Sequence, residues 1–189
     1  AAIQKLNPNI PVDAREQALR EVQRINSPEL LTNNEAFHRF LTDGVPVTYR
    51  TPPQGGGGGG SEKSDYVWLI DFTNVLNNEF LVVNQYAVIE NNQNKRPDIL
   101  LFINGIPLVL IELKNPADEN ATTRKAFDQI QTYKATIPSL FTFNAFCVIS
   151  DGHECRAGST AAGYSRFMAW KFADGRKEVS KFIPELETL

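Results

Sequence analysis

Three charged residues lie at the ends of two neighbouring apolar segments, where a charged side chain is costly to bury. Asp98 follows Pro97 at the start of the first segment, and Glu112 and Lys114 end the second, residues 108–114. Charged groups are rarely buried unless they are paired or bind a metal. Two carboxylates with an ammonium group beside them therefore predict a site for a hard divalent cation.

The chemistry that suits such a set is hydrolysis of a phosphodiester. Mg²⁺ takes oxygen ligands, usually one or two carboxylates together with water and substrate phosphate. It acidifies water and neutralises charge on phosphorus oxygens. Asp98 and Glu112 would hold the metal, and Lys114 would orient the attacking water and stabilise the transition state. A Glu-x-Lys pair alone is weak evidence, since it is most often a solvated strand edge, and Asp98 strengthens it.

The connection between the two segments decides whether the carboxylates meet. Asn104-Gly105 is a strong hairpin signal. A simple two-residue loop would pair Asp98 with Ile111 and point it away from Glu112, because side chains alternate along a strand. A three-residue connection, with Gly105 in a bulge, would place both carboxylates on one face. The metal site therefore predicts an odd-length loop or a bulge.

A helix predicted over Thr123–Thr136 adds two polar side chains. Its apolar residues recur on one side, and Pro138 stops it. Gln129 and Tyr133 are four residues apart and so share a helical face. Both donate hydrogen bonds and suit a position that faces a phosphate. The alternative is that Tyr133 belongs to the core and Gln129 faces solvent.

The remaining elements predict a mixed α/β domain with a central sheet and helices on its sides. Helices are expected at residues 13–25, with Asp13 as N-cap, and at 34–41, ended by Gly44. Strands are expected at Val45–Arg50, 66–72, 80–90, Ile99–Ile103, 108–114 and 145–150, and residues 164–172 are ambiguous. Residues 51–61 contain six consecutive glycines, which predict a flexible loop. No Lys-Ser/Thr pair closes it, so it is not a phosphate-binding loop.

Composition narrows the function classes further. The 189 residues carry a net charge of −3, so we expect DNA to be delivered by another component if it is the substrate. No apolar run approaches the ~18 residues of a membrane span. Cys147 and Cys155 suit free thiols in a reducing cytosol. The two histidines accompany no recognisable nucleophile, and a zinc site lacks a fourth ligand. Asp71, Glu90 and Asp151 are more typical of caps or ion pairs than of metal ligands.

The pattern of Asp98, Glu112 and Lys114 resembles the PD-(D/E)xK nucleases, and longer stretches resemble one branch of them. That branch is the N-terminal endonuclease domain of the restriction (R) subunit of type I restriction-modification enzymes. The resemblance covers roughly residues 10–172. The stretches that carry it are residues 37–45, 71–72, 80–90, 96–99, 107–121, 127–134, 137–141 and 148–152.

The resemblance implies a restriction-endonuclease-like fold in a single domain of a cytoplasmic, prokaryotic protein. It also implies Mg²⁺-dependent cleavage of double-stranded DNA, which in the intact subunit is coupled to ATP-driven translocation. It implies that Asp98, Glu112 and the Leu113 carbonyl bind metal, that Lys114 is catalytic, and that Gln129 and Tyr133 support DNA positioning. The expected organisation is a helical segment over residues 1–44, a nuclease core over 45–175 and a linker over 176–189 toward a translocase domain outside this sequence.

The expected partners are the translocase region of the same subunit and the methyltransferase and specificity subunits. Two alternatives stay open. One is a nuclease-like domain without chemistry that serves as a docking or regulatory module. The other is a stand-alone resolvase or repair nuclease of the same fold.

Overall fold

The computed structural model describes residues 2–52, 60–117 and 122–170. The chain divides into two compact units, one made of Ala1–Phe80 and Ile103–Gly105 and the other of Leu81–Phe102 and Ile106–Leu189. The glycines of the predicted loop at 51–61 fall almost wholly outside the described residues, as does the whole predicted linker at 176–189. The predicted domain boundaries at residues 44 and 175 stay predictions.

The first unit consists of three helices and a two-stranded antiparallel sheet. The helices are Ala2–Leu6 (α1), Val12–Gln23 (α2) and Leu30–Asp43 (α3), and the strands are Val45–Arg50 (β1) and Glu62–Val67 (β2). Helix α2 packs on β1, and its buried Ala14 and Ala18 allow the close approach. The predicted N-cap was wrong: Pro11 occupies that position, and Asp13 lies in the first turn. Gly44 ends α3 with a φ of 79°, as predicted.

The second unit is built on a six-stranded mixed sheet. The strands of the second unit are Phe80–Asn84 (β3), Val88–Glu90 (β4), Gln93–Lys95 (β5), Ile99–Ile103 (β6), Ile106–Leu113 (β7), Phe146–Ser150 (β8), Cys155–Ser159 (β9) and Met168–Ala169 (β10). The spatial order of the sheet is β10-β9-β8-β7-β6-β3, and β4 pairs with β5 in a separate hairpin. Strands β7 and β8 are parallel, whereas β8 and β9 are antiparallel. The predicted mixed sheet is confirmed.

Helices complete the second unit on the parallel pair. They are Thr123–Thr136 (α4) and Pro138–Thr142 (α5), and α4 packs against β7 and β8. The bounds of α4 match the prediction, because the Thr122 side chain caps its N-terminus and Pro138 prevents its continuation. Residues 164–166 form a 3₁₀ turn that leads into β10. No described helix is long and apolar enough to cross a membrane.

One predicted strand is broken in the structure. Residues 80–90 were predicted as a single strand, but β3 ends at Asn84 and β4 begins at Val88. Gln85, between them, has a φ of 51°, which no strand residue adopts. The apolar pattern is continuous across this point, so it conceals a change of direction.

Candidate active site

Asp98 is anchored by hydrogen bonds at both of its carboxylate oxygens. It lies at a bend directly before β6. The Leu113 backbone N–H donates to Asp98 Oδ2 at 2.8 Å, and Gln85 Nε2 donates to Asp98 Oδ1 at 2.7 Å. The Gln85 backbone N–H also donates to the Asp98 carbonyl oxygen at 2.8 Å. The end of β3, the start of β6 and the end of β7 therefore converge on one carboxylate.

Glu112 and Lys114 form a mostly buried ion pair at the end of β7. Glu112 is 3% exposed, and Lys114 Nζ lies 2.8 Å from Glu112 Oε1. Glu112 pairs in register with Ile149 of β8, and the Lys114 backbone N–H donates to the Ser150 carbonyl oxygen at 2.8 Å. Two central strands therefore fix the backbone that carries both charges. Burial in the sheet is what makes this pair different from a solvated strand edge.

The other oxygen of Glu112 has no hydrogen-bond partner. Glu112 Oε2 is buried and accepts no hydrogen bond from the described residues. Burial raises the pKa of this carboxyl above its ordinary value, the hydrogen bond from Lys114 and the nearby Tyr133 hydroxyl oppose that rise, and the negative charge of Asp98 adds to it. The two carboxylates are thus close enough to repel each other. A buried oxygen with no donor costs free energy unless a cation or a ligand satisfies it.

The carboxylates converge by a route that differs from the predicted one. The connection between β6 and β7 contains only Asn104 and Gly105, with φ values of 54° and 82°, as in a type I′ turn. The predicted odd-length loop or bulge was therefore wrong. Asp98 precedes β6 in a bend, so strand alternation does not dictate the direction of its side chain. Its carboxylate reaches the Leu113 N–H instead.

Tyr133 and Gln129 approach this site from α4. Tyr133 is 5% exposed, and its hydroxyl donates to the Arg96 carbonyl oxygen at 3.4 Å. Burial raises the pKa of Tyr133, and the charges of Glu112 and Asp98 act in the same direction. A hydrogen bond with the half-buried Gln129 side chain opposes them. Tyr133 is thus a core residue whose hydroxyl also faces the acidic pair.

The donor set fits a magnesium ion. A solvent-open cleft of about 410 Å³ is lined by residues from the ends of three strands, namely Asn84, Gln85, Asp98, Ile99, Leu113, Lys114 and Asn115. Two carboxylates, one of them with an unpartnered oxygen, match the one or two that Mg²⁺ usually takes, and an open cleft leaves room for water and phosphate. In the described ranges, no group of three or more His, Cys, Asp or Glu side chains is arranged so that it could hold a metal ion by itself.

Comparison with known proteins identifies the family. Residues 1–166 match the sequence model of the family described as the N terminus of the type I restriction enzyme R protein. The chain belongs to this family. Its match covers most of the sequence and includes all six predicted site residues, which are Asp98, Glu112, Leu113, Lys114, Gln129 and Tyr133.

Several type I restriction endonuclease subunits are similar to this chain. The chain is 38% identical to the type I restriction enzyme HindI endonuclease subunit of Haemophilus influenzae, across 100% of the chain and 17% of that protein. It is 33% identical to the MjaIXP endonuclease subunit of Methanocaldococcus jannaschii, across 94% of the chain and 17% of that protein. It is also 33% identical to the EcoprrI endonuclease subunit of Escherichia coli, across 57% of the chain. The chain therefore spans about one sixth of the first two relatives.

Gln85 is the site residue of this restriction-family domain that the sequence did not reveal. The pattern of residues 80–90 placed it inside a strand, whereas it directly follows the end of β3 and donates a hydrogen bond to Asp98. The available signal was weak: two amide residues, Asn84 and Gln85, interrupt an otherwise apolar run. Such an interruption marks a strand end more often than a site.

Asp71, Glu90 and Asp151 accept hydrogen bonds from protein groups, in keeping with the predicted capping role. Asp71 accepts from the Thr73 and Asn74 N–H groups, and Asp151 accepts from those of His153 and Glu154. Glu90 accepts from the backbone and side chain of Ser139. Cys147 and Cys155 are buried and are not joined by a disulfide.

Proposed function

We propose that this chain is the DNA-cleaving domain of a type I restriction subunit and that it hydrolyses phosphodiesters of double-stranded DNA. The observation that carries the proposal is the buried Glu112 carboxylate, which has Lys114 on one oxygen and no partner on the other, beside a tethered Asp98. An unsatisfied buried carboxylate oxygen destabilises a fold, and such groups concentrate at functional sites. Membership of the restriction family supplies the substrate class.

Asp98 and Glu112, with the Leu113 carbonyl, would hold Mg²⁺ in this scheme. The ion, when bound, supplies positive charge to the phosphate and lowers the pKa of water. Lys114 donates one of its three N–H groups to Glu112, and the other two can donate to water or to a phosphate oxygen. A fixed ammonium of this kind stabilises the negative charge that develops as water forms one bond to phosphorus and the ester oxygen leaves.

The supporting residues of α4 would hold the DNA against this centre. The Tyr133 hydroxyl lies near both carboxylates, and the Gln129 side chain interacts with that hydroxyl. We assign them to positioning of a DNA phosphate. The translocase region of the same subunit, using ATP, would deliver the DNA, together with the methyltransferase and specificity subunits. That arrangement agrees with a net charge of −3, which is unsuited to independent DNA binding.

Replacing Lys114 tests the proposal in the assembled complex. Lys114→Ala is expected to abolish DNA cleavage while ATP hydrolysis and translocation continue, because those two activities would belong to the translocase region and not to this domain. Lys125→Ala, which removes an exposed lysine from α4, is the matched control and should retain cleavage. Cleavage by the Lys114→Ala complex would overturn the proposal. If this domain were only a docking module without chemistry, cleavage of DNA by the complex would not depend on Lys114.

A further inference from the structure

Gln85 has a backbone conformation that glutamine rarely adopts. Its φ is 51°, in the left-handed region where a Cβ meets the following carbonyl oxygen. The other non-glycine residues with positive φ in the described part of the chain are asparagines, which tolerate that region well and lie in two-residue turns. Gln85 lies in no such turn. Non-glycine residues held in this region cluster at sites where the surrounding structure requires the conformation.

The contacts of Gln85 show what this conformation achieves. The backbone N–H donates to the Asp98 carbonyl oxygen at 2.8 Å, and the side-chain Nε2 donates to Asp98 Oδ1 at 2.7 Å. One residue therefore holds both the main chain and the side chain of Asp98. With the Leu113 N–H on Oδ2, each Asp98 oxygen has one donor and keeps a lone pair for another partner.

The chemical type of the side chain is also informative. Asp98 takes part in none of the ion pairs within 4.0 Å in the described ranges, so no cationic side chain occupies its oxygens. An amide donor fixes a carboxylate without neutralising it, whereas lysine or arginine would compete with a cation. Gln85 itself is exposed and lines the same open cleft as Asp98 and Lys114. Its bond is thus made at the solvent side, where stabilisation of the fold is small.

We propose that Gln85 is a positioning residue of the nuclease site, fixing the Asp98 carboxylate in the orientation that binds the divalent cation. The inference rests on the proposed function above. Hydrogen-bond partners of ligating carboxylates typically contribute 10–100-fold to metal affinity or activity. Gln85 acts through Asp98, whereas Lys114 would stabilise the negative charge that develops as water attacks phosphorus.

Gln85→Gly isolates the side chain, because glycine accepts the positive φ and keeps the backbone N–H bond to Asp98. Asn92→Gly is the matched control: Asn92 is exposed, has a φ of 59° and lies in the β4–β5 turn. In the assembled complex, Gln85→Gly should raise the half-saturating Mg²⁺ concentration for cleavage about 10–100-fold, with the rate largely restored at saturating Mg²⁺. Asn92→Gly should leave both quantities unchanged.

A readout independent of cleavage is Mn²⁺ binding, followed by calorimetry without nucleotide or DNA. The double variant Asp98→Ala/Glu112→Ala supplies the background from other sites. Gln85→Gly should weaken the site-specific binding about 10–100-fold. An unchanged Mn²⁺ affinity with only a lowered melting temperature would show a purely structural role and overturn the inference.

The two proposals fail in different ways. Cleavage by Lys114→Ala removes the nuclease assignment, whatever Gln85 does. Loss of cleavage in Lys114→Ala, with Gln85→Gly matching Asn92→Gly in Mg²⁺ dependence and Mn²⁺ affinity, removes the role of Gln85 alone.

Discussion

The ion pair between Glu112 and Lys114 makes a pH-dependent contribution to stability that a single substitution exposes. Lys114→Met keeps most of the aliphatic side chain and removes the ammonium. Glu112 is then left buried with neither oxygen satisfied, since Oε2 already has no partner. Breaking a buried pair on one side costs about 3–5 kcal/mol. The Lys114 side chain is 25% exposed, so water screens part of the charge and we expect about 2–3 kcal/mol at pH 8.

Protonation of Glu112 sets an upper limit on that cost. The carboxyl has an ordinary pKa of 4.5, which burial raises in the folded state and which loss of Lys114 raises further. Protonating the Glu112 carboxyl costs about 1.4 kcal/mol for each pH unit above 4.5. The stability lost in Lys114→Met therefore cannot exceed about 1.4 kcal/mol at pH 5.5 or about 5 kcal/mol at pH 8. A group with a raised folded pKa binds more protons in the folded state, and stability falls as pH rises through that pKa. The deficit of Lys114→Met therefore grows with pH.

Chemical denaturation at pH 8 and pH 5.5, followed by circular dichroism, measures this difference. Lys63→Met is the matched control, because Lys63 and Asp65 form the same i, i+2 pair on a strand, at 2.9 Å, with the Lys63 side chain 52% exposed. Its deficit should be much smaller than that of Lys114→Met and the same at both pH values, because solvent screens an exposed pair. Adding Glu112→Gln to Lys114→Met should recover most of the loss. A deficit for Lys114→Met that is equal at the two pH values would refute the assignment of Glu112 as a buried, charged partner.

Two further substitutions test the backbone of each unit by the same denaturation assay. Asn104→Gly keeps the positive φ of its turn but loses the hydrogen bonds of the Asn104 side chain to the Leu69 carbonyl, to Asn78 Oδ1 and from the Glu79 N–H. The free energy of unfolding should therefore fall by about 1.5–3 kcal/mol. A loss no greater than that of Asn92→Gly would contradict this. Gly158→Ala should lower the free energy of unfolding by about 1–3 kcal/mol, because a Cβ there would lie 2.5–2.8 Å from atoms of the Phe167 ring. Gly163→Ala is the control and should be neutral, because a Cβ at that position meets no atom within 4 Å. Equal effects of the two substitutions would show that the Phe167 ring moves aside freely.

The helix of the second unit was predictable because its signals are local. Thr122 can cap, apolar residues recur at helical spacing, and Pro138 cannot continue the helix. The central strands were predictable for a similar reason: Ile99–Ile103 and the run ending at Leu113 are β-branched and apolar, as buried strands are. Each of these patterns is complete within about fifteen residues, so nothing distant is needed to interpret it.

The geometry of the site was less predictable because it depends on backbone conformations that no local pattern signals. Asn104-Gly105 is a strong signal for a two-residue turn, and the structure contains that turn. The prediction of a longer loop came from treating Asp98 as a strand residue. The bend at Asp98 is stabilised by Gln85, thirteen residues earlier, and by Leu113, fifteen residues later. Contacts of that separation cannot be inferred from one sequence.

The departures from strand rules in the second unit have a common location, which supports a functional origin. Gln85 interrupts a continuous apolar run, Asp98 bends the chain at the start of β6, and Glu112 buries a charge within β7. Selection for stability alone would favour a β-branched residue in place of Gln85 and an apolar residue in place of Glu112. Gln85 and Asp98 instead line one open cleft, and Glu112 pairs with Lys114, which lines the same cleft. Local rules that fail together, at one place, mark a site whose stability cost is offset by what it binds.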